Sequence, residues 1–414
     1  MGHSASNGAQ QFANSDSSNT QSTPPNNFLI RANPDARRAA DELQDISSRL
    51  SPWAGGTVRI VGRSGTPGFD QLTRSEIGIE ASSVLGDSAR LTIVTKPTFL
   101  TSGTPVANSE GVLNTPYNFG QSGAPLLNQP HFQSGVGGEV QIATRFLDGN
   151  IGFTPSTFYV SNKVGSVDLH PEHTPFHLGV FRESITETML SYAGERDPVT
   201  GAVWGGVVAT GAEGGISKGT AQSGFYTDFS AAKITGLNVN DNDRLQGSTG
   251  AYWTFFTNAY GALKIGANVT GMHFDQNQRY FTYGQGGYFS PDTYLLINAP
   301  FTWQGRSNRL AYTVSGSLGM QSFNEDPALA GSISTNVPTA QTVIGANYSL
   351  SGNFAYKLDE HWYIGTFFNV NNTSNYQERS AGFAVRYMKL PQVQSLIGPT
   401  GLFDNQAPRP LIIP

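Results

Sequence analysis

The 414-residue sequence predicts an all-β fold, a transmembrane antiparallel β-barrel of about sixteen strands with a short N-terminal helix. Three observations predict it. Apolar and polar residues alternate with period two over runs of about ten residues or more, longer than the usual globular strand of about 5–6 and matching a tilted membrane strand of about 9–11. The connections between these runs are alternately tight and long. Charged residues make up only 13% of the chain, against about 25% in a typical soluble protein, and 48 glycines and 11% aromatics help fill the gap.

The elements follow in order. Residues 1–32, beginning "MGHSASNGAQ", are polar low complexity and read as a disordered leader or an artificial start. They lack the basic-then-apolar profile of a signal peptide. Residues 33–52 predict a linker helix: Asn33 caps it, Pro34 takes the first position, and Ala39, Leu43, Ile46 and Leu50 share a face. Ser51-Pro52 ends it. The barrel occupies 53–390, with strands near 56–63, 72–84, 89–100, 136–148, 150–160, 162–170, 175–187, 203–216, 222–233, 243–257, 261–273, 293–303, 309–321, 342–357, 362–371 and 380–389. Pro155 and Pro171 limit the regularity of the fifth and sixth. Residues 391–414 form a tail, expected to fold back into the bore or hang below it.

The faces sort by chemistry. Ile77, Ile79 and Ala81 oppose Arg74, Glu76, Gly78 and Glu80; Leu263, Ile265, Ala267 and Val269 oppose Lys264, Gly266, Asn268 and Thr270. A soluble core explains any one such face. The set of long strands, nearly neutral polar faces and segregated loop lengths favours lipid outside and water inside. After even strands the turns are tight ("GDS", "DGN", "NAYG", "GRSN", "LDEH"); after odd strands long loops fall at 101–135, 188–202, 274–292 and 322–341. That pattern suits an outer-membrane barrel with its turns in the periplasm and its loops outside. Sixteen strands leave a water-filled bore where eight would be filled by side chains. Its lumen-facing candidates are Glu76, Glu80, Glu139, Arg145, Tyr226, Asp228, Lys264, Asn268, Asn298, Asn347 and Arg386.

Other classes find little support. The net charge of −5 gives no footprint for nucleic acid, and the absence of cysteine excludes disulfides and thiolate sites. His170, His173 and His177 crowd one predicted turn, but their spacing suits no helical metal site. Neither a Walker loop nor a GxSxG elbow occurs. No cofactor, metal or catalytic residue is expected; an outer-membrane hydrolase stays the competing enzymatic class, and a structural or adhesive barrel the third.

The stretch "RYFTYGQGGYFSPDTY" (279–294) stands out. Arg279, Tyr280, Phe281, Tyr283, Tyr288, Phe289 and Tyr294 come with glycine and no aliphatic side chain. By strand parity the loop 274–292 lies on the outer rim. Flat rings suit the C–H faces of pyranoses, and conduction wants many weak sites rather than one tight one. The loop either contacts an emerging glycan and gates the mouth, or packs on its neighbours and plugs it. A second motif on the same rim holds Tyr192, Arg196, Asp197 and Trp204; Arg196 and Asp197 either grip hydroxyls or, the preferred reading, pair with each other.

Five segments together resemble a known family: "LSPWAGGTVRIVGRSGTPGFDQLTRSEIGIEAS" (50–82), "LSYAGERDPVTGAVWGGVVATG" (190–211), "GAYWTFF" (250–256), "MHFDQNQRYFTYGQGGYFSPDTYLLINAPFTWQGR" (272–306) and "GSLGMQSFNEDP" (316–327). They are similar to the C-terminal region of cellulose synthase operon protein C. The resemblance, over about 50–389, implies a sixteen-stranded barrel in the outer membrane of a Gram-negative bacterium that exports nascent cellulose, a β-1,4-glucan. It implies as partners the glucan, outer-membrane lipid, a periplasmic tetratricopeptide-repeat scaffold and the inner-membrane cellulose synthase that drives the chain. No 34-residue repeat period is visible here. An exporter or porin for another polysaccharide or oligosaccharide is the nearest alternative.

Overall fold

The computed structural model describes residues 44, 46–392 and 395, apart from short gaps at 87, 108–117, 124, 172–173, 221, 259–260, 308, 328–339 and 373–375. The expected leader, the first turns of the linker helix, His173 and the tail beyond 395 lie outside these residues.

Sixteen strands run in chain order, each antiparallel to its neighbours. They are β1 (Trp53–Arg63), β2 (Leu72–Leu85), β3 (Ala89–Gly103), β4 (His131–Thr144), β5 (Leu147–Phe153), β6 (Lys163–Leu169), β7 (Phe176–Ser184) and β8 (Val203–Gly219). The second half comprises β9 (Ser223–Leu237), β10 (Val239–Asn258), β11 (Gly261–Phe274), β12 (Thr293–Arg306), β13 (Leu310–Glu325), β14 (Gln341–Lys357), β15 (Trp362–Asn372) and β16 (Gln377–Met388). The sheet closes on itself, because β16 pairs with β1 from Trp53↔Met388 to Arg63↔Glu378. Closure leaves the barrel no open edge, which hydrocarbon would not tolerate. The predicted sixteen-stranded barrel is the observed one.

Loop lengths obey strand parity at all but two connections, β9–β10 and β15–β16, which are short on the long-loop side. The connections after β2, β4 and β12 are short and belong to the rim that holds both barrel ends; those after β3, β7 and β11 are long and belong to the other. The shorter exception joins β9 to β10 through Asn238 alone, in the left-handed conformation (φ 53°) that asparagine tolerates.

The two faces of the wall are opposite in character. Ile79 is 59% exposed on the outside, and the adjacent Glu80 is 4% exposed on the inside. Ile60, Ile93, Ile151, Leu178, Ile297, Leu318 and Ile344 likewise face outward. Trp253, Phe255, Phe256, Trp303, Trp362 and Tyr387 gather near the short-turn rim on the outer face, as the aromatic girdle of a membrane barrel does.

Of the four buried apolar clusters among the described residues, two mark the ends of the barrel. The smaller, at the short-turn rim, joins Trp53, Ala311, Ala355, Tyr363, Ala384 and Met388. Beneath it the chain leaving β16 crosses the rim: Leu390 N donates to Ser51 Oγ, Lys357 Nζ to Gln392 O, and Ser395 Oγ to Arg309 O. Residues 46–50 are helical, but the expected apolar face is reversed. Ile46 and Leu50 are exposed, and Gln44 and Ser48 are buried, because Gln44 bonds to Gln392 and the Ser48 carbonyl accepts from Arg90. The larger cluster fills the long-loop end.

Candidate functional site

The aromatic stretch folds across the long-loop end of the bore. Phe281, Tyr288, Phe289 and Tyr294 are buried there with Phe69 of loop 64–71, Phe119 of loop 104–130, Leu190 and Trp204, against Met272, Phe274 and Phe323 on the wall. The rings meet edge to face: Phe69 with Phe119 and Phe281, Phe119 with Trp204, and Phe289 with Tyr294 and Phe323 at 5.0–6.3 Å between centroids. This is the geometry that aromatic quadrupoles prefer, about 0.5–1.5 kcal/mol per pair beyond burial.

Polar bonds hold the loop from several sides. Asn242 on β10 brackets Gln276, donating from Nδ2 to its carbonyl and accepting from its N–H, and donates also to Tyr288 Oη. Arg279 pairs with Glu325 of β13 at 2.8 Å. Tyr283 N donates to Gly120 O, and Tyr294 Oη, at the start of β12, to Gln321 Oε1. Burial pushes the Tyr288 hydroxyl well above its ordinary pKa, so it stays neutral. Tyr283 is exposed and Tyr280 half-buried.

The second motif builds the opposing part. Thr188 caps a single helical turn, α1 (Met189–Ala193), its hydroxyl accepting from Ser191 N and donating to Gly287 O. Met189, Tyr192 and Ala193 pack on Leu72 and Leu100 of the far wall, and Arg74 lies over the Tyr192 ring. Gly205 and Gly206, both at positive φ (102° and 59°), interrupt the pairing of β8 and turn its start inward, which delivers Trp204 to the cluster. A β-carbon on Gly206 would strike Val160. The sequence signal was "WGG".

The preferred Arg196–Asp197 pair does not form. Arg196 is exposed and donates from Nε to Gly201 O. Asp197 is fully buried and accepts four backbone N–H bonds: from Val199 and Thr200 in its own loop, and from Gln121 and Ser122 in loop 104–130. Burial alone would raise this carboxyl; the Thr200, Ser122 and Val199 amides overcome it and hold it well below the usual carboxylate range. Asp197 is therefore a clamp between two loops.

One residue pair that sequence reasoning missed joins these parts to the wall. Arg63 at the end of β1 stacks 3.8 Å over the Tyr376 ring and pairs with Glu187 at 3.1 Å; Glu187 Oε2 also accepts from Phe289 N. A small cleft opens along this seam, lined by Arg63, Asp70, Thr188, Arg279, Tyr288 and Tyr376.

Below the aromatics the wall is polar. Ten of the lumen-facing candidates lie on inward positions. Glu80 meets Arg386 at 3.7 Å, and Arg386 lies over Trp53; Glu76 meets Arg74 and Glu139 meets Lys96; Asp228 faces His177 at 3.5 Å; Lys264 lies over Tyr252. Tyr226 donates to Asn268 Oδ1, and Asn347 to Gln321 Oε1; Asn298 is buried between them. Arg145 is the correction. β4 stops at Thr144, whose hydroxyl accepts from Phe146 and Leu147 N–H, and this turn leaves Arg145 exposed on the rim. Of the histidines, His177 faces the bore and His170 sits in a turn; among the described residues no group of three or more His, Asp or Glu could hold a metal.

Residues 70–389 match the model of the cellulose synthase operon protein C C-terminus. Cellulose synthase operon protein C of Pseudomonas fluorescens is 27% identical over 393 residues, covering 92% of this chain and 30% of the relative. That of Komagataeibacter xylinus is 31% identical over 300 residues, covering 69% and 23%. The chain thus spans less than a third of these relatives' length. Among solved structures, a bacterial polysaccharide outer membrane secretin aligns at 9% identity and TM-score 0.46, over 80% of this chain and 97% of that one. With the matched region running from the end of loop 64–71 past the last strand, the chain belongs to the family of the cellulose synthase operon protein C C-terminus.

Proposed function

We propose that the barrel is an outer-membrane channel that exports a nascent β-1,4-glucan from the periplasm to the cell exterior. The observation that carries this reading is the placement of a ring-rich plug across one end of a bore whose wall is polar and close to neutral. An uncharged, hydroxyl-rich chain needs hydrogen-bonding partners along its path and flat apolar faces where it leaves. It needs no ring of single-sign charge, which a polyanion would. The bore's charges on β1–β4 and β16 are largely paired with each other, so they present little net field to a passing chain.

In this reading the structure holds the closed state. Arrival of a glucan end exchanges ring–ring contacts for ring–sugar contacts, so Tyr280, Tyr283 and Tyr288 serve both states. The motive force comes from polymer elongation by an inner-membrane synthase, aligned through a periplasmic repeat scaffold; this chain supplies the passage. Planar-bilayer recordings with added cello-oligosaccharides test the assignment. Transient blockade of the current is expected, and Tyr280, Tyr283 and Tyr288 exchanged together for Ala should raise leak conductance and lower glucan secretion. Wild-type currents indifferent to every cello-oligosaccharide would defeat the assignment; blockade by other oligosaccharides alone would redirect it to a different glycan.

A further inference from the structure

One register line of the inner wall has an unusual composition. Reading across hydrogen-bonded neighbours, Tyr226 on β9 faces Gly250 on β10, which faces Asn268 on β11, then Asn298 on β12, Gly319 on β13 and Asn347 on β14. Six consecutive strands thus contribute one phenol, three carboxamides and two glycines to a continuous row. The glycines keep it low. A β-carbon on Gly250 would collide with the Tyr226 ring, and one on Gly319 with Asn298. Adjacent strands stand about 4.8 Å apart, so five steps span roughly 24 Å. Strands in such barrels tilt by about 35–45°, so a row perpendicular to them climbs obliquely through the bore.

The row is incompletely bonded within the protein. Asn268 is satisfied by Tyr226 and Thr270, and Asn347 Nδ2 by Gln321 and the Asn372 carbonyl. Asn298, 4% exposed, has no partner for either amide atom among the described residues; Asn347 Oδ1 has none either, nor has Nε2 of Gln321, which flanks the row one inward position beyond Gly319 on β13. Native proteins rarely leave buried amides open, and each such group calls for a reason. Here donor and acceptor functions alternate, unpaired, along three neighbouring strands. A carboxamide offers one donor edge and one acceptor edge, which matches a pair of adjacent hydroxyls.

We propose that this row is a saccharide subsite, an oblique track on which the equatorial hydroxyls of a neutral glycan exchange hydrogen bonds with Asn298, Gln321 and Asn347. Between the Met272 and Lys264 levels, β10–β14 present no charged side chain to the bore, whereas β1–β4 and β16 carry ion pairs. The track therefore selects against uronic acid polymers, whose carboxylates would lose hydration beside amides that cannot neutralise them. It rests on the export reading and adds the wall on which the chain slides.

The test uses the intact barrel, folded in detergent and checked by its heat-modifiable mobility. Cellohexaose and a hexameric oligogalacturonate are titrated calorimetrically, then applied in planar bilayers. Wild type should bind cellohexaose and not the uronate. Asn298→Ala with Asn347→Ala should weaken cellohexaose binding about tenfold, the equivalent of one or two lost hydrogen bonds, at unchanged open conductance. Asn298→Ser serves where the double variant fails to fold, with a smaller loss in the same direction. Equal binding by wild type and variants overturns the track and leaves the export reading standing. Failure of wild type to bind or be blocked overturns both. Equal uptake of the uronate overturns the selectivity.

Discussion

The mouth and the mid-bore of this barrel solve opposite problems with opposite chemistry. At the long-loop end, Trp204, Phe119, Phe281 and Tyr288 are buried almost completely in an aromatic cluster assembled from four loops and the wall. Twenty or so ångströms of wall below, roughly six residues along a strand, the inner face carries Ser, Thr, Asn and Gln bonded in short local pairs, such as Ser317 with Ser349 and Thr302 with Ser315. Apolar packing is cooperative, so the mouth is expected to open as a unit. Neutral hydrogen bonds are individually weak once water competes, so the wall can trade partners step by step. A closure that must hold and a surface that must let go are thus kept apart along one axis.

Breaking the first half of that contrast should have the largest effect. Trp204→Ala removes a fully buried indole and should cost about 3–5 kcal/mol in denaturant unfolding of the detergent-folded barrel, with a rise in leak conductance. An unchanged leak would show that polar bonds alone hold the mouth shut. Ile79→Lys places a charge on the lipid face, at a cost of about 2–4 kcal/mol near the bilayer midplane; refolding yield into vesicles reads it. No loss would mean that this row of isoleucines does not meet hydrocarbon.

Asp197 sharpens the comparison through pH. Its folded carboxyl titrates well below the ordinary value of about 3.9. The stability it contributes is therefore complete above that value and is lost as pH falls through the depressed one. Leak conductance should stay flat from neutrality to about pH 4 and rise below it. Asp197→Asn loses charge-assisted bonds worth about 1–3 kcal/mol in total and should leak at neutral pH without that acid step. An acid step persisting in the variant would assign it to another group.

Much of the barrel was legible because alternation persists long enough to outvote local noise, and because turn chemistry punctuates it. The limits were physical. Arg145 was misplaced because Thr144 ends its strand with a side-chain turn that periodicity cannot register. The Arg196–Asp197 pair looked natural from adjacency, yet Asp197 takes N–H groups from residues about 75 positions away. Glu187 and Arg63 went unnoticed for the same reason: each is an ordinary charged residue until the closed sheet brings β1 opposite the loop after β7. The aromatic stretch announced itself by composition, but its partners Phe69 and Phe119, on loops distant in sequence, did not.

The pairing of β1 with β16 has a consequence for biogenesis. The first strand to be synthesised finds one of its two neighbours only when the last strand has been made, 11 register pairs spanning almost the whole barrel sequence. Until then both boundary strands hold unanswered amides and carbonyls, a state compatible with water or a holding chaperone but not with acyl chains. Loss of even the final dozen residues of the barrel would therefore leave a gapped cylinder with two open edges, so closure of the sheet has to accompany or precede its contact with acyl chains.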